Sequence, residues 1–521
     1  MTSAQLLFLF GALSGAAAMT WLLVPLVIWF SARMGWLDRP GGRRSHPTPV
    51  PRVGGIAIMA GVLVGSCSYA VVMGWESLAG VLSKQELIAF FGPCLLVFLI
   101  GLLDDIRGLG PTPRLLVESI AAAMAIQAGY VIDVVATPFG PLSLGALAFP
   151  VSLMWFLAVT NAFNLIDGLD GLLATAGLVS LLGCAAIGLH GDMIGTPALA
   201  LAMAGALLGI LPWNWAPARI FLGDSGALLI GFTVAGWTLK VSRNHPNGTL
   251  ALHVPLLLCA LPLIEMSLTL ARRYVSGVPF FEGDRSHMHH VLLQKGLGVR
   301  PAVGLLGGVA SAFALAALLS RSWREWGMTS VLVPLALAAA GLRYLGYVEL
   351  RVLGDRLWTV LRRPQRRLLS GLFTIARAGE VIRPASDLAD LRERLRRARE
   401  VAGFSFLAVE WSEQAYGELG LAPERDAVLH PQAQAWVDAH PAERSWVFSA
   451  DLQPETSTST LVTWCVPVPA ESGRYGRLAC QSLVEHGTPA PSVDDIRRYL
   501  AEPLALVLMA LEARGSRAHA K

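Results

Sequence analysis

Residues 151–171 read VSLMWFLAVTNAFNLIDGLDG. The run is almost wholly apolar as far as Val159, then admits Asn161, Asn164, Asp167 and Asp170 within ten residues. Charged groups inside a bilayer are costly, so an apolar run that stops at a cluster of carboxamides and carboxylates reads as a membrane helix reaching its boundary. Asn161, Asn164 and Asp167 recur every three residues and share a face if the helix continues. Gly168 and Gly171 predict its end and let backbone approach a ligand closely. Packing alone gives no reason for two carboxamides and two carboxylates at such a place.

Outward from this segment the same grammar repeats. Hydrophobic residues make up 54% of the chain and charged residues 15%, with mean hydropathy +0.54, above the range of an ordinary soluble domain. Apolar stretches of about 17–25 residues recur before about residue 350, each long enough to cross a bilayer. They lie near 4–31, 53–74, 87–103, 115–131, 146–163, 172–190, 196–213, 226–240, 250–270, 301–320 and 328–346. The expected fold is therefore an all-α polytopic membrane protein of about eleven transmembrane helices. Ala16-Ala17-Ala18 resembles a cleavage site, but Met1 to Gln5 has no basic residue and the apolar run continues to Phe30, so an uncleaved anchor is expected.

Basic residues set the expected orientation. Arg33, Arg39, Arg43, Arg44 and Arg52 follow the first span, and alternate loops carry Arg107 and Arg114, then Arg219, then Arg272, Arg273 and Arg285. The opposite loops hold Lys84, Lys240, Arg243, Arg321 and Arg324. This bias predicts an N-terminus outside the cytoplasm and a C-terminus within it. Cys67, Cys94, Cys184 and Cys259 fall in predicted spans, Cys465 and Cys480 in the tail, and no CxxC spacing suggests a metal site. A net charge of +4 gives no reason to expect nucleic acid as a partner.

Beyond Arg351 the character changes. Arg351, Arg356, Arg362, Arg363, Arg366, Arg367, Arg377 and Arg383 alternate with Leu and Trp, the composition of a helix on an anionic leaflet or of a solvated basic linker. From about 385 a cytoplasmic α+β domain is expected. It comprises a charged helix at 387–401, strands at 404–411, 446–448, 459–468 and 475–483, and a closing helix at 493–511. The layout is compatible with a GAF- or PAS-like module by fold analogy. The domains expected are 1–350 in the membrane, a linker at 351–384, and a domain of open role at 385–521.

Three further polar clusters share the predicted cytoplasmic side. Asp104-Asp105 ends the third span. Adjacent carboxylates repel, so they are either a solvated helix end or held by a cation such as Mg²⁺ bridged to phosphate oxygens. Asp224 and Ser225, flanked by Gly223 and Gly226, open a later span either as caps or with Asp224 also binding metal. The third cluster, Glu282-Gly283-Asp284-Arg285-Ser286-His287-Met288-His289-His290, lacks HExxH or Cys support for zinc. A phosphoryl-transfer site fits it better than a solvated loop does.

Together these segments, from about residue 20 to 320, resemble the polyprenyl-phosphate N-acetylhexosamine-1-phosphate transferases, relatives of the phospho-N-acetylmuramoyl-pentapeptide translocase. Asp284-Arg285-Ser286-His287-Met288-His289-His290 resembles the loop of the branch that uses UDP-N-acetylglucosamine and similar sugars. The resemblance implies a phosphotransferase moving a sugar-1-phosphate from a UDP-N-acetylhexosamine to undecaprenyl phosphate, with release of UMP. The product would start an O-antigen, exopolysaccharide or other envelope glycan. It implies Mg²⁺, with Mn²⁺ as a substitute, held by Asp224 with Asn164 near the diphosphate. Asp104 would deprotonate or position the lipid phosphate, and Asp105 would assist the metal–phosphate network. Asp167, Gly168, Leu169, Asp170 and Phe221 would shape the nucleoside pocket, with Asn161 supporting that loop. Arg285, His287, His289 and His290 would contact sugar or phosphate. A homodimer is plausible for such a fold.

Two other classes compete. A transporter would place its acids near the bilayer midplane, often within inverted repeats. Here they sit at span ends and no repeat is evident. A catalytically silent platform for the C-terminal domain is opposed by the presence of every acidic and histidine motif residue.

Overall fold

In the computed structural model the described residues are 3–38, 49–73, 84–137, 139–191, 193–243, 250–276, 287–322, 336, 366–413, 415, 419, 424–425, 445–449, 459–468, 475–485 and 493–519. The span expected at 328–346 lies outside them apart from residue 336, as do Arg39, Arg43, Arg44, His46, Glu282, Asp284, Arg285 and the basic stretch 351–365. The chain divides into two compact units, Met1–Thr269 with Gly283–Leu345, and Leu270–Glu282 with Gly346–Lys521.

The first unit is helical. Its helices are α1 (Ser3–Met34), α2 (Gly55–Met73), α3 (Lys84–Arg107), α4 (Pro111–Gln127), α5 (Ala148–Leu165), α6 (Leu172–His190), α7 (Gly195–Asn214), α8 (Gly223–Ser242), α9 (His253–Leu258), α10 (Ala260–Ser276, which runs into the second unit), α11 (Met288–Gln294) and α12 (Val299–Ser322). Among the described residues, six helical stretches are long and apolar enough to cross a membrane: Gln5–Met34, Gly145–Leu165, Leu172–His190, Gly195–Asn214, Gly223–Ser242 and Val299–Ser320. This makes the chain a multi-pass membrane protein on composition and length. Of the other five expected spans, that at 328–346 lies outside the described residues apart from residue 336, and two fall on short helices that carry charge. Helices α4 and α10 are 17 residues each. They also carry Arg114 and Glu118, and Glu265, Arg272 and Arg273.

Close packing of α1 explains how the bundle holds together without a hydrophobic drive between lipid-covered helices. Gly61 and Gly65 of α2, and Gly205 and Gly209 of α7, are each spaced four apart and so line one face. A Cβ on Gly65 would lie 2.6 Å from the Ala12 carbonyl oxygen, one on Gly205 2.1 Å from that of Leu13, and one on Gly209 2.3 Å from that of Ala17. Backbones meet there because no side chain stands between them. The Thr20 hydroxyl adds a hydrogen bond to the Ala57 carbonyl at 3.2 Å.

The expected span at 250–270 is interrupted at Cys259, between α9 and α10. Pro262 has no N–H to give the Leu258 carbonyl one turn earlier. The Ser180 hydroxyl of α6 donates to that carbonyl instead, at 2.7 Å. A short antiparallel hairpin, β3 (Val134–Thr137) with β4 (Gly140–Ser143), follows α4. Ala136 N donates to the Leu250 carbonyl at 3.0 Å, Leu250 N to that of Val134 at 2.8 Å, and Arg243 meets Asp133 at 2.6 Å.

The second unit contains α13 (Arg366–Ile382), α14 (Leu388–Ala402), and a five-stranded sheet of β5 (Phe406–Trp411), β6 (Glu424–Arg425), β7 (Ser445–Ser449), β8 (Ser459–Val468) and β9 (Gly476–Glu485), in order β6-β7-β5-β9-β8. All pairings are antiparallel except β6 with β7. The helix α15 (Val493–Ile496), a π turn at Arg497–Ala501 and α16 (Glu502–His519) close it. The long strands fall within two residues of expectation because their alternation is strong. Leu407, Val409 and Trp411 turn to a core shared with Leu391, Leu395, Leu500 and Leu504. Phe406 and Ala408 join Val447 and Ala479 in a separate cluster. Helix α14 starts where the Asp387 side chain accepts from Asp390 N and stops at Gly403, φ +68°.

Gly205→Val should lower the thermal midpoint in detergent, at a cost of about 1–3 kcal/mol. Gly15→Ala, whose Cβ would meet nothing within 4 Å, should leave it unchanged. Equal midpoints for the two variants would refute the backbone-contact account of the α1–α7 seam.

Candidate functional site

The polar ends of α3, α5 and α8 and the start of α4 meet at one end of the bundle. The chain reaches this point through a small backbone framework. Strand β1 (Leu37–Asp38) pairs with β2 (Val50–Pro51). Phe221 N donates to the Pro51 carbonyl at 2.8 Å, and Gly54 N and Gly55 N donate to the carbonyls of Phe221 and Leu222, each at 3.0 Å. Gly223 then takes φ +71°, and a Cβ there would lie 1.8 Å from the Arg52 carbonyl oxygen. Only glycine suits both the dihedral and the space.

Asp105 caps α8 from a different helix. Its Oδ1 accepts from Asp224 N at 2.8 Å, and its Oδ2 accepts from Ser225 N at 3.0 Å and from the Ser225 hydroxyl at 2.6 Å. These bonds satisfy backbone donors that a helix start leaves unpaired. Arg52 fixes the carbonyl side of the same corner, with Nε on the Asp105 oxygen at 2.6 Å and Nη2 on that of Asp104 at 3.3 Å. The caps expected of Asp224 and Ser225 are thus reversed: their N–H groups are the ones capped.

Asp104 and Asp224 converge on one atom. Arg114 Nη1, at the start of α4, lies 2.8 Å from Asp104 Oδ2 and 2.9 Å from Asp224 Oδ1. Asn164 Nδ2 donates to the same Asp224 oxygen at 3.0 Å. Leu109 N bonds the other Asp104 oxygen. Asp104 is nearly buried while Asp224 keeps 27% of its side-chain surface, so the cluster has one open carboxylate. Among the described residues no three His, Cys, Asp or Glu side chains gather as a metal-binding group. The oxygens of Asp104 and Asp224 do meet at a point already selected by a cation. Two carboxylates and a carboxamide form an all-oxygen-capable set that suits a hard cation completed by phosphate oxygens.

The other predicted residues form a second layer. Helix α5 ends at Leu165, so Asp167 lies in the following turn rather than on the helical face shared by Asn161 and Asn164. Burial first, and then the charges of Asp224, Asp105 and Asp170, push the Asp167 carboxyl well above the usual carboxylate range. Asp170 Oδ2 accepts from Ala218 N at 2.9 Å, and Gly171 N, at φ +82°, donates to Asn214 Oδ1 at 3.1 Å. These bonds lock the 166–171 turn to the segment leading to half-buried Phe221, while Leu169 is buried beneath it. Asn161 has other partners than that turn: its amide donates to Glu118 Oε2 at 2.6 Å and to the Leu157 carbonyl at 2.9 Å.

His289 is 1% exposed and lies over Gly168, where an added Cβ would fall 2.8 Å from its Nε2. Burial, then His290 and His287, push the His289 imidazole down to about 3. It is therefore neutral in ordinary buffers. The three rings cluster, with centroids 5.5 Å apart for His287–His289 and 4.4 Å for His289–His290. Sequence reasoning missed Arg114 as a site residue, and missed Glu118 and Glu265. The last two are 1% and 2% exposed. The signal for both was a lone acid inside an apolar stretch.

Comparison with known proteins places this geometry in context. The family model described as glycosyl transferase family 4 matches residues 87–242, a range that holds Asp104, Asp105, Asn164, Asp167 and Asp224 and stops before His287. A probable undecaprenyl-phosphate N-acetylglucosaminyl 1-phosphate transferase of Bacillus subtilis is 29% identical over 58% of this chain and 83% of its own length. A decaprenyl-phosphate N-acetylglucosaminephosphotransferase of Mycobacterium tuberculosis is 32% identical over 55% of this chain and 76% of its own. A putative glycosyltransferase of Streptomyces coelicolor is 32% identical over 75% of this chain and 86% of its own, an alignment longer than the membrane unit alone. With relatives above 30% identity matched over more than two thirds of their length, and with the acidic cluster inside the matched range, the chain belongs to glycosyl transferase family 4.

Proposed function

We propose that this protein transfers a sugar-1-phosphate, most simply an N-acetylhexosamine-1-phosphate, from a UDP-sugar to undecaprenyl phosphate at the cytoplasmic face of a bacterial inner membrane. The observation that carries the proposal is the convergence of Asp104 and Asp224 on one Arg114 nitrogen, with Asn164 on Asp224, at an end of the membrane bundle. The names of two relatives describe transfer of an N-acetylglucosamine phosphate with undecaprenyl or decaprenyl phosphate in those proteins. The positive-inside bias supports the cytoplasmic placement. The remaining features of the proposal are about eleven spans, a GAF- or PAS-like role for the C-terminal sheet domain, a division of domains near residue 350, a homodimer, and the start of an envelope glycan as the product's fate.

The reaction joins two anions. The lipid phosphate must approach a diphosphate shielded by negative oxygens, and UMP must leave with added charge. Asp224, Asp104 and Asn164 are the groups to hold Mg²⁺, or Mn²⁺ in its place. The ion would supply positive charge to the diphosphate and the leaving group. Arg114 adds a fixed cation beside them. Asp104, whose oxygens meet Arg114 and Leu109 N, is assigned to orienting the incoming lipid phosphate or accepting its proton. Asp105, with both oxygens on the start of α8, serves by holding Asp224 in register. Asp167, Gly168, Leu169, Asp170 and Phe221 are assigned to the nucleoside, and Arg285, His287, His289 and His290 to sugar or phosphate. Asn161 belongs with Glu118 in the support behind them.

Purified protein in detergent, given undecaprenyl phosphate, Mg²⁺ and a panel of UDP-sugars, should release UMP from at least one donor and stop when EDTA is added. Folded protein that releases none from any donor would favour the silent-platform reading. Asp224→Ala should reduce that release by about 100-fold or more while the protein still folds, and wild-type turnover in this variant would remove Asp224 from the metal site. Truncation after Leu345, where the first unit ends, should spare basal UMP release. Its complete loss in a folded truncated protein would give the tail a catalytic part.

A further inference from the structure

Glu265 lies in α10 and is 2% exposed. An acid in an apolar helix is tolerated when donors compensate its charge, and it marks function by default. Here the donors come from one short segment. Met288 N points at both carboxylate oxygens, 3.0 Å from each, and His287 Nδ1 lies 2.9 Å from Oε1. Thr269 Oγ1, one turn further along α10, is 3.3 Å from the same ring nitrogen.

His287 occupies the N-cap position of α11 with extended backbone (φ −65°, ψ 154°), yet its side chain does not cap the helix. Glu265 takes that task across space, which frees the imidazole. A carboxylate accepts only, so the bond at 2.9 Å puts the proton on Nδ1 and fixes the ring's tautomer and tilt. The fixed ring stacks on His289 at an interplanar angle of 9°. His289 Nε2, buried and without a hydrogen-bond partner among the described residues, is the atom set against Gly168. A continuous series of contacts thus runs from Glu265 through His287 and His289 to the turn that carries Asp167 and Asp170.

We propose that Glu265 is a positioning residue that latches the His287–His290 segment onto the Gly168 turn and so sets where the imidazoles meet the donor's sugar or phosphate. The catalytic importance of the latch rests on the transferase reading above, whereas the latch itself does not. Carboxylates that orient a metal-bound histidine change metal affinity or activity by about 10–100-fold when removed, and the same scale is expected for this oriented imidazole.

Two variants and two readouts test it. Glu265→Ala removes every acceptor, while Glu265→Gln keeps one carbonyl for Met288 N. Diethylpyrocarbonate labelling, read by peptide mass spectrometry in detergent without any substrate, reports the latch alone. In the wild type, buried His287 and His289 should label far more slowly than exposed His190. In Glu265→Ala they should label several-fold faster than in the wild type, with Glu265→Gln between and the thermal midpoint of Glu265→Gln unchanged. In the UMP assay kcat should fall about 10–100-fold in Glu265→Ala and recover in part in Glu265→Gln. Histidines that stay protected in both variants overturn the latch whatever the turnover. Exposed histidines with wild-type kcat overturn its part in the reaction. A wild type that releases no UMP counts against the transferase reading, and the labelling still decides the latch.

Discussion

Everything at the site follows from bringing Asp104, Asp105, Asp167, Asp170 and Asp224 into one corner of a membrane protein. Two like charges about 4 Å apart repel by about 4 kcal/mol at an effective dielectric constant of about 20. The fold answers this repulsion separately for each acid. Asp105 is neutralised by the backbone N–H groups of Asp224 and Ser225, at the positive end of α8. Asp104 and Asp224 share the guanidinium of Arg114. Asp170 takes a backbone N–H from Ala218. Asp167 has no such compensation among these contacts, and burial first, then the charges of Asp224, Asp105 and Asp170, push its carboxyl upward.

This division of labour separates residues that look alike in the sequence. Asp104 and Asp105 are neighbours, and a helix turns successive side chains about 100° apart. One carboxylate therefore faces the open cluster with Asp224, while the other is directed at the start of α8. Asn161 and Asn164 diverge in the same way, despite sharing a face: one turn decides whether the amide meets Glu118 or Asp224. A motif identifies the neighbourhood, and the hydrogen bonds decide which member is free to meet a ligand.

Much of the arrangement was legible beforehand, and the illegible part has a common cause. Apolar length marked the spans, alternation marked β8 and β9, and polar residues at span ends marked the corner. The capping of α8 by Asp105 was hidden because the partners lie 119 and 120 residues apart. Arg114 read as one more positive charge in a cytoplasmic loop, an adequate explanation that concealed its contacts. Glu118 and Glu265 carried a usable signal, acids in apolar helices, but each stands alone in the sequence and belongs to no polar cluster there. The break at Cys259 was likewise implicit in Pro262, although its repair by Ser180 is a tertiary fact.

Rigidity links the bundle to the corner. Gly54 and Gly55 bring β2 against the residues before α8, and an added Cβ on Gly55 would fall 2.5 Å from Gly226 N. Gly101, one turn before Asp105, lets α3 lie against the Asp224 carbonyl, 2.6 Å from where its Cβ would be. Such approaches leave little room for the helix starts to shift. The acids can therefore be held close at positions set by backbone contacts, before any ligand arrives. A site of the kind proposed, which would bind two anions and a cation, would gain from this order: the repulsion among its carboxylates is met during folding, so positive charge brought by a ligand need not reorganise them.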